Sequence, residues 1–459
     1  MNAFTNQLDA ILPTAICGSI VRTEGLAAAV AGMPAPVGAV VEIDRLAGAP
    51  IEAEVIGFRG QQTIVYPLGD MQGIRHGNKV RLRRTRRTLK VGPELLGRVI
   101  DSRGRSLDQQ APPVLTNRIV LNASPPPATD RPRISSPLAT GVRVIDGLLT
   151  CGRGQRIGIF SGSGVGKSVT LGMMARYTSA DITVIGLIGE RGREVNDFLE
   201  RDLGPEGRAR SVVVVATSDQ PALVRVQAAM TATAVAEYFR DMGKNVLLIM
   251  DSLTRFALAQ REIGLAAGEP PTTRGYPPSV FALLPRLVER AGNSPLGSIT
   301  AFYSVLVEGD DTNEPVSDTV RGLLDGHVVL SRRLASQAHW PAIDVLESIS
   351  RLFPDITTTE QQAAAQTIRE LLSAYRDHED LISIGAYRQG ANPTVDAAIV
   401  MRDEINRFLR QAIHDRSSVE SAATEVVKLA QRCQAARKPA AVAAQAASAQ
   451  RTGPAKQVA

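Results

Sequence analysis

Cysteine is nearly missing from this sequence, with three in 459 residues, at positions 17, 151 and 433. Their odd number and wide spacing match neither a disulfide framework nor the CxxC spacing of a metal or redox site, so Cys17, Cys151 and Cys433 read as reduced thiols. Long apolar runs are also lacking. None approaches the roughly 20 residues that span a bilayer, and no basic residue precedes Arg22, so the charged start of a secretory signal is absent. These absences predict a cytoplasmic protein. Aromatic residues make up 4%, with one Trp, and 52 Lys and Arg nearly balance 46 Asp and Glu for a formal net charge of +6. Such mild basicity does not by itself call for nucleic acid or acidic membrane. What remains is ordinary globular composition, 44% hydrophobic and 21% charged, in a length that suits about three domains.

Phe4, Leu8, Ile11 and Leu12 fall on one helical face before Pro13, which predicts a short amphipathic arm over residues 1–17. It either frays against its own domain or docks on a partner. From 18 to 92 the pattern turns to short β-rich runs, Gly38–Asp44, Glu54–Gly57 and Thr63–Tyr66, separated by Gly and Pro, as in a small β-barrel. Within it, residues 79–90 carry seven basic side chains and no acidic one. No aromatic is interleaved to stack on bases, and the alternation fits a solvated barrel face better than a nucleic-acid stripe. The Pro-rich stretch Ser124–Arg133 reads as a linker. Beyond it, apolar runs at 155–160, 182–188, 211–216, 245–250, 298–303 and 327–331 alternate with helical segments. That order predicts an α/β domain with a mostly parallel sheet covered on both faces. Helical patterning takes over after about residue 360. The domains expected are 18–92 (barrel), 93–375 (α/β) and 376–434 (helical), followed at 435–459 by a disordered tail with eleven Ala and four basic residues.

The first apolar strand runs into Ser161-Gly-Ser-Gly-Val-Gly-Lys-Ser168. Gly162, Gly164 and Gly166 let the backbone N–H groups of Gly162, Ser163, Gly164, Val165, Gly166, Lys167, Ser168 and Val169 converge on phosphate oxygens. Lys167 supplies a cation, and the Ser168 hydroxyl suits Mg²⁺. A Gly-rich turn that binds nothing would not need Gly-Lys-Ser at a helix start, where the helix dipole favours an anion. The strict pattern has Gly where this chain has Ser161. Asp251 ends the strand Asn245–Asp251, at the rim where ligands bind to parallel sheets, and its expected task beside such a loop is Mg²⁺. Glu190 stands 23 residues after Lys167, in Gly189-Glu-Arg-Gly-Arg-Glu194. It suits the polarisation of an attacking water, although spacing alone leaves a surface salt-bridge cluster the stronger reading.

From about Gly18 to Ser417 the chain resembles the ATPases of type III protein export, found in flagellar assembly and in injectisomes and related to the rotary ATP synthase catalytic subunit. The blocks that carry the resemblance are Leu96–Asp101, Thr140–Phe160, Arg274–Gly292 and Val305–Pro315, with Thr150-Cys-Gly-Arg-Gly-Gln-Arg156 closer to export ATPases than to rotary subunits. The resemblance implies a RecA-like P-loop core between an N-terminal β-barrel and a C-terminal helical domain. It implies that Lys167 and Ser168 hold phosphates and Mg²⁺, that Glu190 is the catalytic carboxylate, that Arg191 supports the γ-phosphate and that Asp251 is the acid on the Mg²⁺ side. Arg351 matches an arginine finger given to the neighbouring subunit, and Trp340 matches the aromatic that stacks on adenine. Ser161 departs from the family, which usually has Ala there, and a modest effect on nucleotide affinity is expected.

The function so implied is that of an ATP-hydrolysing homohexamer that energises or primes export and unloads chaperones. Its implied partners are a stator-like regulator, a central coiled-coil stalk protein, the export gate, export substrates and chaperones. Its implied place is the cytoplasm, peripheral at the inner face of the cytoplasmic membrane, with no nucleic acid bound. Three other readings stand beside it: a rotary proton-translocating ATPase catalytic subunit, an RNA translocase of the transcription-termination type, and a nucleotide-gated scaffold without turnover.

Overall fold

The computed structural model describes residues 16–307 and 314–437. The arm expected at 1–17 lies outside these apart from its last two positions, and the expected tail lies outside them beyond Arg437.

Six strands close a barrel: β1 (Cys17–Glu24), β2 (Ala27–Ala31), β3 (Val40–Ile43), β4 (Ile51–Arg59), β5 (Gln62–Pro67) and β6 (Lys79–Arg84), in the order β1-β2-β5-β4-β3-β6. Alternation makes the barrel. Ile51, Ala53 and Val55 of β4 point into its core, while Glu52 and Glu54 between them face outward. The same period explains the basic stripe. Val80 and Leu82 of β6 are buried, and Arg81 and Arg83 turn out to meet Asp44 (2.5 Å) and Glu42 of the same barrel. Arg87 pairs with Glu52 (2.9 Å) and Glu54 (3.2 Å). Much of the stripe's charge is thus answered locally. The barrel is fixed to the core through Tyr66, whose hydroxyl donates to Glu262 (2.9 Å), and through Glu54, which accepts from Gln227 (2.6 Å).

The second body is a nine-stranded sheet. Its path runs through β7 (Val99–Ile100), β8 (Arg156–Ser161), β9 (Ile182–Glu190), β10 (Ser211–Thr217), β11 (Asn245–Asp251), β12 (Ser298–Leu306), β13 (Gly326–Leu330) and β14 (Ile343–Ser350), in the order β14-β13-β8-β12-β11-β9-β10-β7, with Gly292–Asn293 paired to β12. All six expected strands are present, and β7 to β13 pair in parallel along this path. The edge strand β14 is antiparallel to β13, with Leu330 opposite Ile343 and Gly326 opposite Ser350. Buried Val, Ile and Leu fill β9 to β11, as a sheet covered on both faces requires. Covering helices include α1 (Arg143–Leu148), α2 (Lys167–Tyr177), α3 (Ala222–Asp241), α4 (Leu253–Ala267) and α5 (Pro278–Val288).

The C-terminal part is helical: α6 (Thr359–Ser383), α7 (Pro393–Leu409) and α8 (Val419–Arg437). The helix α6 runs unbroken across residue 376, where the sequence reading begins the helical domain. Its first half buries Ala364, Ala365, Ile368 and Leu371 in the same core as β8, so the packing gives no reason for a break there. The helical patterning expected after about residue 360 is interrupted at 410–418, where Gln411 turns inward. It accepts from the Arg143 N–H (2.7 Å) and donates to the Gly141 carbonyl (2.8 Å). Barrel, mostly parallel sheet and helical end are the architecture expected.

Candidate active site

Strand β8 ends at Ser161, and the chain turns through Gly162–Gly166 into α2. Gly164 and Gly166 take φ of +77° and +82°, a region that disfavours side chains. Gly166 is the N-cap of α2, so Lys167 and Ser168 form the helix's first turn with their N–H groups free for an anion. Val165 is buried and anchors the loop, while Ser163, Gly164 and Ser168 are exposed.

Parallel pairing of β8, β12, β11 and β9 brings the carboxyl ends of these strands to one rim. There the Lys167 ammonium is ion-paired with Asp251 and lies 3.7 Å from Glu190 Oε1. Asp251 Oδ1 also accepts from the Ser304 hydroxyl of β12 at 2.7 Å. Burial works against the Lys167 charge, but the two carboxylates outweigh it and hold its pKa above the usual lysine range. Glu190 behaves differently. Burial first, then the Asp251 charge and a hydrogen bond to Glu194, push its carboxyl up to about 7, against the opposing pull of Lys167 and Arg255. Glu194 goes the other way: burial is outweighed by the bond from Glu190 and by the Arg191 N–H, and its pKa falls. The arrangement is a general-base candidate near neutrality beside a fixed cation.

Sequence reading gave no role to Gly189 and Glu194, which flank Glu190 in its block, and missed Arg255 and Ser304. Gly189 has φ +72° at a register shift in β9, and a Cβ on it would stand 3.1 Å from Arg255 Cβ. The bend lets α4 approach and re-aims Glu190. A glycine before a strand-end carboxylate is the one signal that was visible in the sequence.

Arg191 is exposed and caps the short helix 192–197. Trp340 lies against the phosphate loop, and a Cβ on Gly166 would stand 2.8 Å from Trp340 Cζ3. It borders an open cleft of about 770 Å³ with Arg143, Asn406, Arg407 and Gln411. Arg351 is not part of this cluster. Ser161 is level with Leu330, whereas Ser350 is opposite Gly326 at the other end of β13. Arg351 follows, its N–H bonded to the Asp325 carbonyl five residues from the level of Leu330, so about 16 Å of strand separates the phosphate loop from the rim where it stands, at roughly 3.3 Å per residue. Ser168 and Asp251 offer hard hydroxyl and carboxylate oxygens of the kind Mg²⁺ selects.

Residues 141–350 match the ATP synthase alpha/beta family nucleotide-binding domain, and residues 357–427 match the T3SS EscN ATPase C-terminal domain. The flagellum-specific ATP synthase of Bacillus subtilis (strain 168) is 53% identical over 83% of this chain and 87% of its own length. The type 3 secretion system ATPase of Xanthomonas euvesicatoria is 49% identical over 88% of this chain and 92% of its own. The assembled ATPase EscN of the enteropathogenic E. coli type III secretion system superposes with a TM-score of 0.86 at 46% identity, covering 90% of this chain and 100% of that one. EscN in complex with its central stalk EscO gives 0.83 at 45% identity over 90% and 100% of the two chains.

Proposed function

The chain belongs to the family of flagellum-specific ATP synthases and type 3 secretion system ATPases, and we propose that it is the ATP-hydrolysing motor of a type III protein export machine. It energises or primes the export of subunits and unloads their chaperones. The observation that carries the reading is the convergence of Lys167, Asp251 and Glu190 on one rim beside a glycine loop that opens a helix.

In this reading the loop N–H groups and Lys167 bind the phosphates of ATP, and Trp340 stacks on the adenine. Lys167 leaves its carboxylate partners for the γ-phosphate when ATP enters. Glu190, released from Glu194, takes the proton of the attacking water, for which a pKa near 7 is suited. Arg191 steadies the γ-phosphate. Ser168 and Asp251 would hold Mg²⁺, which when bound offsets phosphate charge.

Arg351 acts in trans. Its distance from the loop of its own chain supports this, because a finger at the far rim serves only a neighbour's site. A homohexamer supplies that neighbour six times over. A central stalk fits the C-terminal end of α6 and the turn after it, where Leu381 and Ile384 are exposed. A stator-like regulator, the export gate and chaperoned substrates complete the partners. The working place is the inner face of the cytoplasmic membrane, reached peripherally, and among the described residues no helix is long and apolar enough to cross it.

Phosphate release by the purified protein tests the reading. Wild type should turn over without RNA and without a homologous partner subunit, and Lys167→Ala and Glu190→Gln should not. In cells both variants should block or cripple export. Turnover retained in both, or dependent on RNA, would overturn it.

A further inference from the structure

The Arg351 side chain is exposed, but its backbone is tightly held. The Arg351 N–H donates to the Asp325 carbonyl at 3.0 Å. Ser350, the residue before it, is nearly buried, and its hydroxyl donates to the Thr150 carbonyl at 2.8 Å. One side chain touches both anchors. Gln155 Nε2 donates to the Asp325 carbonyl at 3.0 Å and to Ser350 Oγ at 3.1 Å, while its Oε1 accepts from the Gly152 N–H at 2.8 Å. Gln155 is fully buried, so each amide atom has its partner inside the protein. Asp325 is in turn locked to the next residue, Arg156. Its Oδ2 accepts from the Arg156 N–H and Nε at 3.1 Å each, and its own N–H donates to the Arg156 carbonyl at 2.9 Å.

Gln155 and Arg156 stand at the start of β8, and the other end of β8 is the phosphate loop. The strand is hydrogen-bonded on both edges, to β12 and to β13. It therefore behaves as a short rod with a nucleotide site at one end and the root of Arg351 at the other. We propose that Gln155 is a positioning residue for Arg351, and that β8 thereby ties each subunit's own phosphate loop to the arginine it gives its neighbour. The inference rests on the trans action of Arg351 proposed above. It adds a physical route by which occupancy of one site biases hydrolysis at the next: a shift of the loop moves β8, and Gln155 and Asp325 carry the shift into residues 350 and 351. A misplacement of about 1 Å in a catalytic group costs up to about 100-fold in rate, so small movements suffice.

The test is a double-mutant cycle on the full-length protein. Gln155→Met keeps the volume of the buried side chain and removes the amide. Ser350→Ala removes one of its acceptors and guards against a variant that fails to fold, with ring formation and thermal melting followed for both. Each should bind a fluorescent ADP analogue within about twofold of wild type yet lose about 10- to 100-fold in kcat with KM little changed. In an Arg351→Ala background neither should cost anything further, because the group they position is gone. Equal losses with and without Arg351 would overturn the positioning role and leave the trans finger standing. Full turnover by Arg351→Ala alone would overturn both.

Discussion

Trp340 covers the glycine that opens the phosphate-loop helix: a Cβ on Gly166 would stand 2.8 Å from Trp340 Cζ3. Two demands meet at this glycine, the φ of +82° at the N-cap of α2 and the indole face above it.

Trp340 is the only Trp in the chain, so its fluorescence reports on this one place. ATP or ADP should change it saturably, and Lys167→Ala should weaken that response. Trp340→Ala should raise the nucleotide dissociation constant about three- to tenfold, the scale of one aromatic stack, while Trp340→Phe should stay near wild type. Gly166→Ala should lose nucleotide binding through strain and overlap together. Equal affinity in wild type and Trp340→Ala, measured with a fluorescent nucleotide, would remove the adenine contact.

In the proposed mechanism Glu190 sets the acid limb of the pH profile. As a base it works as the carboxylate, so kcat/KM should fall as pH drops through about 7. Two neighbours shift that limb in opposite directions. Arg255 lowers the Glu190 pKa, so Arg255→Ala should move the limb to higher pH; Glu194 raises it, so Glu194→Ala should move it to lower pH. Stability follows the same sign. A carboxyl raised from 4.5 to about 7 holds its proton more tightly in the folded chain, so its contribution is full at low pH and is lost as pH rises through 7. Glu190→Gln should therefore melt higher than wild type at pH 8 without nucleotide.

The phosphate loop was legible because its chemistry needs consecutive residues, and Asp251 because strand ends can be read from an apolar run. Arg255 and Ser304 were not, since only the strand order β12-β11-β9 brings them to Glu190 and Asp251. The position of Arg351 depends on the direction of β14. Its apolar positions look the same in either orientation, and the reversal that sends Arg351 to the far rim appears only in the pairing of Gly326 with Ser350. The barrel was readable from alternation, but the partners of its basic stripe came from β3 and β4, across the closed sheet.

Ser161 carries a cost that removal should relieve. Its hydroxyl is buried at the mouth of the loop and has no hydrogen-bond partner among the described residues. An unsatisfied buried hydroxyl costs about 1 to 3 kcal/mol. Ser161→Ala should melt a few degrees higher than wild type without nucleotide and bind ATP with a modestly altered dissociation constant. A lower melting temperature would show that the hydroxyl is stabilising after all.

Geometry across the sheet gives the sharpest test of action in trans. Arg351→Ala keeps an intact phosphate loop but lends no finger, whereas Lys167→Ala lacks a working loop but still presents Arg351. Each should be slow alone, the first by a factor on the order of 10³ or more if the finger behaves as in other nucleoside triphosphatases. Co-assembled in one ring, the pair should recover turnover. Wherever an Arg351→Ala subunit receives the arginine of a Lys167→Ala neighbour, that site holds a wild-type set of groups. Random mixing in equal amounts makes such a junction on about a quarter of the interfaces. Recovery should therefore rise with the mixing ratio to a maximum near equal amounts and vanish when rings form separately before mixing. Were Arg351 to serve its own chain, no mixture would exceed its components, because every subunit would still lack either loop or finger.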